Sequence, residues 1–222
     1  MSTIKTALVV GSSRGLGFAI AEELLKRNWN VIGTVRKGKR TKLHELAEKW
    51  NGKLQIQYLD ITIPTQVERL KSNLNGESLD LLFVNAGVAN EKGMQETIGE
   101  ISTEEFVRVM VTNTLSPMRV LEKLTENVRQ GGVVGVMSSG QGSIADNENG
   151  GNDVYRASKA ALNMLMRSFS VRREKIEHFY SWPLDGLRKI WVDQKRSFPF
   201  KKSSAILLIP LLLKKEKVAF DT

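Results

Sequence analysis

The chain contains no cysteine, which excludes disulfides and thiolate metal sites. It has only two histidines, His44 and His178; they are far apart and form no H-E-x-x-H pattern, so no metal is expected. Long apolar runs are also missing. The run Ala205–Leu213 (AILLIPLLL) is interrupted by Pro210 and falls far short of the roughly 20 residues that span a bilayer, so no membrane partner is expected. No charged-then-apolar leader follows Met1, and with the missing cysteines this predicts a cytoplasmic protein.

What is present is basic, but unevenly so. The formal charge is +9, and from Arg172 to Thr222 there are 12 Lys/Arg against 6 Asp/Glu. Most of the excess therefore belongs to a tail that shows no nucleic-acid-binding motif, and no nucleic-acid partner is expected. A length of 222 residues with 41% hydrophobic content suits one α/β domain with a sizeable core.

Along the chain, the period of the apolar residues alternates. Ile4–Val10 is a mostly apolar run ending at Gly11, as in a strand buried on both faces. Leu16, Ile20, Leu24 and Arg27 then fall at helical spacing, and Val31–Val35 makes a second strand. Further helices separate strands at Leu54–Leu59, Leu79–Val84 and Val133–Met137. Phe106, Val109, Met110 and Asn113 lie along one helical face, and Val154 to about Arg173 is another helix. This rhythm predicts a Rossmann-type doubly wound parallel sheet in three α/β/α layers.

In such sheets ligands bind at the carboxyl ends of the strands. After the first strand stands G-S-S-R-G-L-G, with Gly11, Ser13, Arg14, Gly15, Leu16 and Gly17 as candidate cofactor contacts. Glycines there let the backbone turn and approach a pyrophosphate, while the helix start offers free N–H groups. After the second strand comes Arg36, where an NAD site usually places an acid. Arg36 and Arg14 either pair with a 2′-phosphate, which favours NADP(H) over NAD(H), or belong to a solvated basic loop. Asp60, followed by Ile61, ends the third strand either as an acceptor for the adenine amino group or as a helix cap. Asn85, Ala86 and Gly87 end the fourth. Ser138 and Ser139 follow the fifth, and Tyr155 and Lys159 share one helical face four residues apart. A lysine so placed makes a phenol a better proton donor near neutrality.

Together the G-x-x-x-G-x-G turn, N-A-G, Asn113, S-S and Y-x-x-x-K resemble the short-chain dehydrogenase/reductase family. The stretch from Ser138 to Met164 is similar to its carbonyl-reductase-like branch, which includes the sniffer and C-signal type proteins. The resemblance covers about Ile4 to Arg173. It implies an NADP(H)-dependent oxidoreductase acting on a small carbonyl or alcohol, in a fold that forms dimers or tetramers. Tyr155 would be the general acid, Ser139 would bind the carbonyl oxygen, Lys159 would hold the nicotinamide ribose, and Asn113 would position a water in the proton path. Ser138 is not expected to take part.

The resemblance stops at the tail. Residues 1–173 read as the NADP-binding catalytic part, and 174–222 as a divergent tail of the same domain. Where the family has a P-G motif that contacts the nicotinamide, this chain has Pro183, Leu184 and Asp185, and Lys175–Trp182 is a poor sixth strand. When the codons are read one nucleotide early, Trp182 before Pro183 forces Ala and Trp191 before Val192 forces Gly. The shifted frame then allows A-P-G-W-V-x-x-D-L-G-G-P, as in the carbonyl-reductase-like branch. Either a frameshift lies near Arg173–Glu177 or the tail has diverged. The expected consequence is an exposed sheet edge and weakened or absent turnover, and the alternative function is a non-catalytic NADP-binding or signalling remnant.

Overall fold

The computed structural model describes residues 4–91, 93, 96–173, 178–182 and 190–191. Strand β1 (Thr6–Val10) is buried along its whole length. It lies at the centre of a sheet ordered β3-β2-β1-β4-β5-β6-β7, formed with β2 (Asn30–Val35), β3 (Leu54–Tyr58), β4 (Leu79–Val84), β5 (Val128–Met137), β6 (His178–Trp182) and β7 (Ile190–Trp191). The pairings from β3 to β6 are parallel, and β7 runs antiparallel to β6. The chain crosses from one side of β1 to the other between β2 and β4, and this reversal opens a crevice at the carboxyl ends of β1 and β4.

Alternate residues of the central strands feed two cores. Leu8, Val10, Leu82 and Val84 pack with Val67 and Leu70 of α3 (Pro64–Leu74) and with Leu162 and Phe169. Ala7, Val9, Leu81 and Phe83 pack on the other face with Ile20 and Leu24 of α1 (Gly15–Lys26) and Leu43 of α2 (Lys42–Lys49). Each fully buried Leu or Phe contributes about 1.5–3 kcal/mol relative to exposure, which is why the strand pattern fixes the fold so firmly.

The helical stretch after β4 is not uniform. Helix α4 (Thr103–Met110) leads into a π-helical turn, Val111–Leu115, and then α5 (Ser116–Leu124). Of the residues expected on one face, Phe106 is substantially exposed while Val109 of α4 and Asn113 of the π turn are fully buried. The last long helix, α6, runs from Asp153 to Arg172.

One expectation is corrected here. The sixth strand is present as backbone, with His178–Trp182 in parallel register with Val133–Met137, so β5 is not left as an edge. A ladder requires only backbone donors and acceptors. The H-F-Y-S-W segment is rich in strand-favouring aromatics, and Lys175 and Glu177 precede the paired residues. Pro183–Asp185 and the rest of the proposed out-of-frame segment, apart from the two short strands, lie outside the described residues. Among the described residues no helix is long and apolar enough to cross a membrane, and no cluster of potential metal ligands occurs.

Candidate active site

At the end of β1 the backbone turns at Gly11, whose φ is +85°. A side chain there would lie 2.8 Å from the Ala86 backbone, so glycine is what lets the two strand ends come together. Gly11 N–H donates to Thr34 Oγ1 at 2.9 Å, and Asn85 Nδ2 donates to the Gly11 carbonyl at 3.0 Å. Gly17, in the first turns of α1, would drive any side chain into that same carbonyl oxygen and into Asn85. Gly15 is different: its φ is +58°, and the space above it is open to at least 4 Å.

This loop fits a dinucleotide phosphate. Helix α1 begins at Gly15, and its N-cap residue Arg14 supplies no side-chain cap; uncapped N–H groups at a helix start carry the partial positive charge that binds an anion. Arg14 and Arg36 are exposed, and the structure gives neither an ion-pair partner among the described residues. Asp60 has one carboxylate oxygen engaged: Oδ1 accepts from the Thr62 N–H at 2.9 Å and the Thr62 hydroxyl at 2.6 Å. Its own N–H donates to Gln66 Oε1 at 2.8 Å. Asp60 therefore shapes the turn before α3 without capping it, since the cap position belongs to Ile63. Ile61 is buried in the core beside it.

The second group of residues gathers at the ends of β4 and β5 and on α6. Lys159 is almost fully buried, and its Nζ donates to the Met137 carbonyl at 2.8 Å. Burial with no acid nearby pushes its pKa down to about 8. The ammonium lies 5.8 Å from the centroid of the Tyr155 ring. A Cβ on Gly87 would sit 3.2 Å from Asn113 Oδ1 and 3.6 Å from Lys159 Nζ, so the N-A-G turn brings its backbone between these two side chains.

Asn113 is fully engaged as a donor. Its Nδ2 donates to the Val88 carbonyl at 2.8 Å and to Ser158 Oγ at 3.0 Å, while Oδ1 accepts from the Val88 N–H at 2.8 Å. Both amide hydrogens are thus spent on the fold, and a water in the proton path would have to be held by an acceptor or by the main chain. Ser138 Oγ is fully buried and donates to Asn163 Oδ1 at 2.7 Å. Ser139 Oγ accepts from the Gln141 N–H at 3.2 Å, which leaves its own hydrogen to be directed elsewhere.

Several participants were not singled out from the sequence. Ser158 joins Asn113 to the Tyr155 carbonyl, to which it donates at 2.7 Å, and Thr114 Oγ1 donates to the Ser158 carbonyl at 2.8 Å. Ser158 sits inside Y-R-A-S-K and so could have been read there. The segment after Gly87 is also tied down. Arg108 donates to the Ala89 carbonyl, and Glu105, held at about pKa 2 chiefly by its hydrogen bond from Arg108, accepts from the Glu91 N–H. Asp153 accepts from the Ile98 N–H at 3.0 Å. No periodicity in the sequence signals these contacts.

Comparison with known proteins agrees with this geometry. Residues 5–177 match the short chain dehydrogenase family. A 1-hydroxy-2-glutathionyl-2-methyl-3-butene dehydrogenase from Rhodococcus sp. (strain AD45) is 31% identical over 169 residues, covering 75% of this chain and 70% of the relative. Other curated relatives are matched over 55% and 62% of their length. Among solved structures, a Burkholderia multivorans protein described as a short-chain dehydrogenase/reductase, with bound NADP, superposes with a TM-score of 0.85 at 46% identity over 96% of this chain and 92% of its own. A carbonyl reductase from Pseudomonas aeruginosa PAO1 in complex with NADP gives 0.80 at 30% identity, over 95% and 91%. The chain belongs to the short-chain dehydrogenase family.

Proposed function

We propose that the chain is an NADP(H)-dependent oxidoreductase that interconverts a small carbonyl compound and its alcohol. The observation that carries this reading is the convergence of Lys159, Tyr155 and Asn113 at the same sheet end as an open, uncapped glycine loop. Gly11, Ser13, Gly15, Leu16 and Gly17 would hold the pyrophosphate, Asp60 and Ile61 the adenine end, and Asn85, Ala86 and Gly87 the inner wall. Arg14 and Arg36, exposed and without ion-pair partners among the described residues, support a 2′-phosphate and hence NADP(H) over NAD(H). Bound there, the nicotinamide would supply or accept the hydride.

The chain's own residues would handle the proton and the oxygen. Tyr155 gives its hydroxyl proton to the carbonyl oxygen as that oxygen gains charge. Lys159, cationic below about pH 8, stabilises the phenolate left behind and donates to the cofactor ribose. Ser139, already accepting from Gln141, turns its own hydrogen toward the carbonyl oxygen and stabilises the developing charge. Asn113 fixes the spacing between the Val88 segment and α6. The test is NADPH oxidation by the purified chain with benzaldehyde, cyclohexanone and related carbonyls. Turnover that survives Tyr155→Phe undiminished would remove the mechanism.

The sequence from Glu174 onward favours a second reading. A family P-G motif is missing at Pro183–Asp185, and the neighbouring reading frame allows one. Under this reading the reductase is the in-frame parent, and this chain is a remnant that binds NADP without turning it over. Tight NADPH binding with no turnover across the panel, together with an A-P-G-W-V reading in the coding DNA, would favour it over the first.

A further inference from the structure

Four polar residues of α6 and its cap, Asn152, Tyr155, Lys159 and Asn163, follow one another at intervals of three, four and four, which places them on one helix face. The middle two are the proposed catalytic pair. The outer two are asparagines, and both grip the short turn that carries Ser139. Asn152 Nδ2 donates to Gln141 Oε1 at 2.9 Å. Asn163 Oδ1 accepts from Ser138 Oγ at 2.7 Å, and its Nδ2 donates to the Gly142 carbonyl at 3.4 Å. Between these points Gly142 lies so close to α6 that a Cβ would come within 2.9 Å of Lys159. Both asparagines are more than nine-tenths buried. Asn152 adopts a left-handed backbone, with φ +58°, that brings its amide beneath the turn.

We infer that Asn152 and Asn163 are positioning residues that lock the Ser138–Gly142 turn to α6 and so set the place of Ser139 against Tyr155 and Lys159. Ser139 and Tyr155 come from different elements, the turn after β5 and helix α6, and must act on one oxygen atom, so an error of an ångström between them is costly to turnover. Asn163 fixes the start and end of the turn, Asn152 fixes its middle through Gln141, and the Gln141 N–H in turn orients Ser139 Oγ. The amide N–H groups of both asparagines and the Asn163 carbonyl are engaged with the turn, while Asn152 Oδ1 has no hydrogen-bond partner among the described residues. Buried hydrogen bonds of this kind hold the groups they join in one arrangement. Helix α6 thus carries the catalytic pair and the fasteners for its partner on one face. The kinetic part of the inference rests on the oxidoreductase reading.

The test uses Asn163→Ala, Ser138→Ala and Asn152→Gly in the full chain, the last keeping a residue at ease with positive φ. Two readouts are taken: amide hydrogen exchange of residues 141–143 with residues 7–10 as the internal control, and kcat and KM for NADPH and for the best carbonyl of the panel. The expected result is exchange at 141–143 at least ~10-fold faster with the control unchanged. Alongside it, kcat should drop ~10- to 100-fold while the affinity for NADPH holds. Ser138→Ala and Asn163→Ala should be non-additive when combined. Unchanged exchange in all three variants overturns the inference, as does faster exchange with undiminished kcat. If the unaltered chain turns over no carbonyl at all, the functional reading fails, and the exchange measurement still decides whether the asparagines hold the turn.

Discussion

Asn113 and Val88 are joined twice: the Asn113 amide donates to the Val88 carbonyl and accepts from the Val88 N–H, each at 2.8 Å. A side-chain amide here does what a neighbouring strand would do for one residue of backbone. It does so from within a π-helical turn, a distortion of helices found mostly at functional sites. Asn113→Asp keeps the acceptor and loses both donors, leaving a carboxylate against the Val88 carbonyl. We expect it to lower stability by about 1–3 kcal/mol, read as the shift in urea midpoint, and to reduce kcat more than Asn113→Ser.

Tyr155→Phe removes the hydroxyl and keeps the ring. Turnover with NADPH is expected to fall by ~10²–10⁴-fold, while NADPH binding, followed by quenching of tryptophan fluorescence, remains close to that of the parent.

Lys159 gives a pH-dependent signature. Its pKa lies at about 8 in the folded chain, against an ordinary value of 10.5. Between these two values the unfolded state holds more protons than the folded one, so stability from this group rises with pH across that window and is diminished below it. The full difference is up to ~3 kcal/mol. Denaturation of the cofactor-free protein at pH 8 and pH 10 should show this rise relative to Lys159→Met, in which it is lost.

The two glycines that follow Arg14, Gly15 and Gly17, should respond differently to the same change. Gly17→Ala forces a methyl into the Gly11 carbonyl and is expected to abolish cofactor binding and destabilise the fold by several kcal/mol, at about the level of severe overpacking. Gly15→Ala meets nothing within 4 Å, and only its positive φ penalises it, by about 1–2 kcal/mol. Thermal denaturation of the two variants side by side checks the order.

Arg36→Ala removes a charge without disturbing any packed residue. NADPH affinity should fall ~10- to 100-fold, as for the loss of a charge-assisted hydrogen bond, with NADH affinity little altered. Equal losses for both cofactors would place Arg36 outside the 2′-phosphate site.

The parts of this molecule that were legible in the sequence are those in which one residue type has one physical use. The mostly apolar run that ends at Gly11 reads as a buried strand, and Thr6–Val10 is buried along its whole length, although Ile4 before it is exposed; the switch to helical spacing at Leu16 follows directly. Tyr155 and Lys159 were readable because four residues is a helical interval. Asn113 was readable as a site residue but not in its manner of working, because the π turn that buries it has no pattern in Val111–Leu115. Asn152 and Asn163 escaped notice for a related reason: their partners are on a turn eleven or more residues away, and asparagine is an ordinary residue at a helix cap. The sixth strand is hard to read from the sequence because the charges of Lys175 and Glu177 sit directly before a segment that pairs only from His178.

The close approach of Gly11 to Ala86 divides the crevice into two territories. On the β2 side lie Arg14 and Arg36, the residues proposed for the 2′-phosphate; on the β4–β5 side lie Ser139, Tyr155 and Lys159. Among the described residues no side-chain hydrogen bond or ion pair ties Arg14 or Arg36 to the second group. A lineage could therefore exchange one nucleotide currency for another by altering a few exposed residues after β2, while inheriting its reaction chemistry intact.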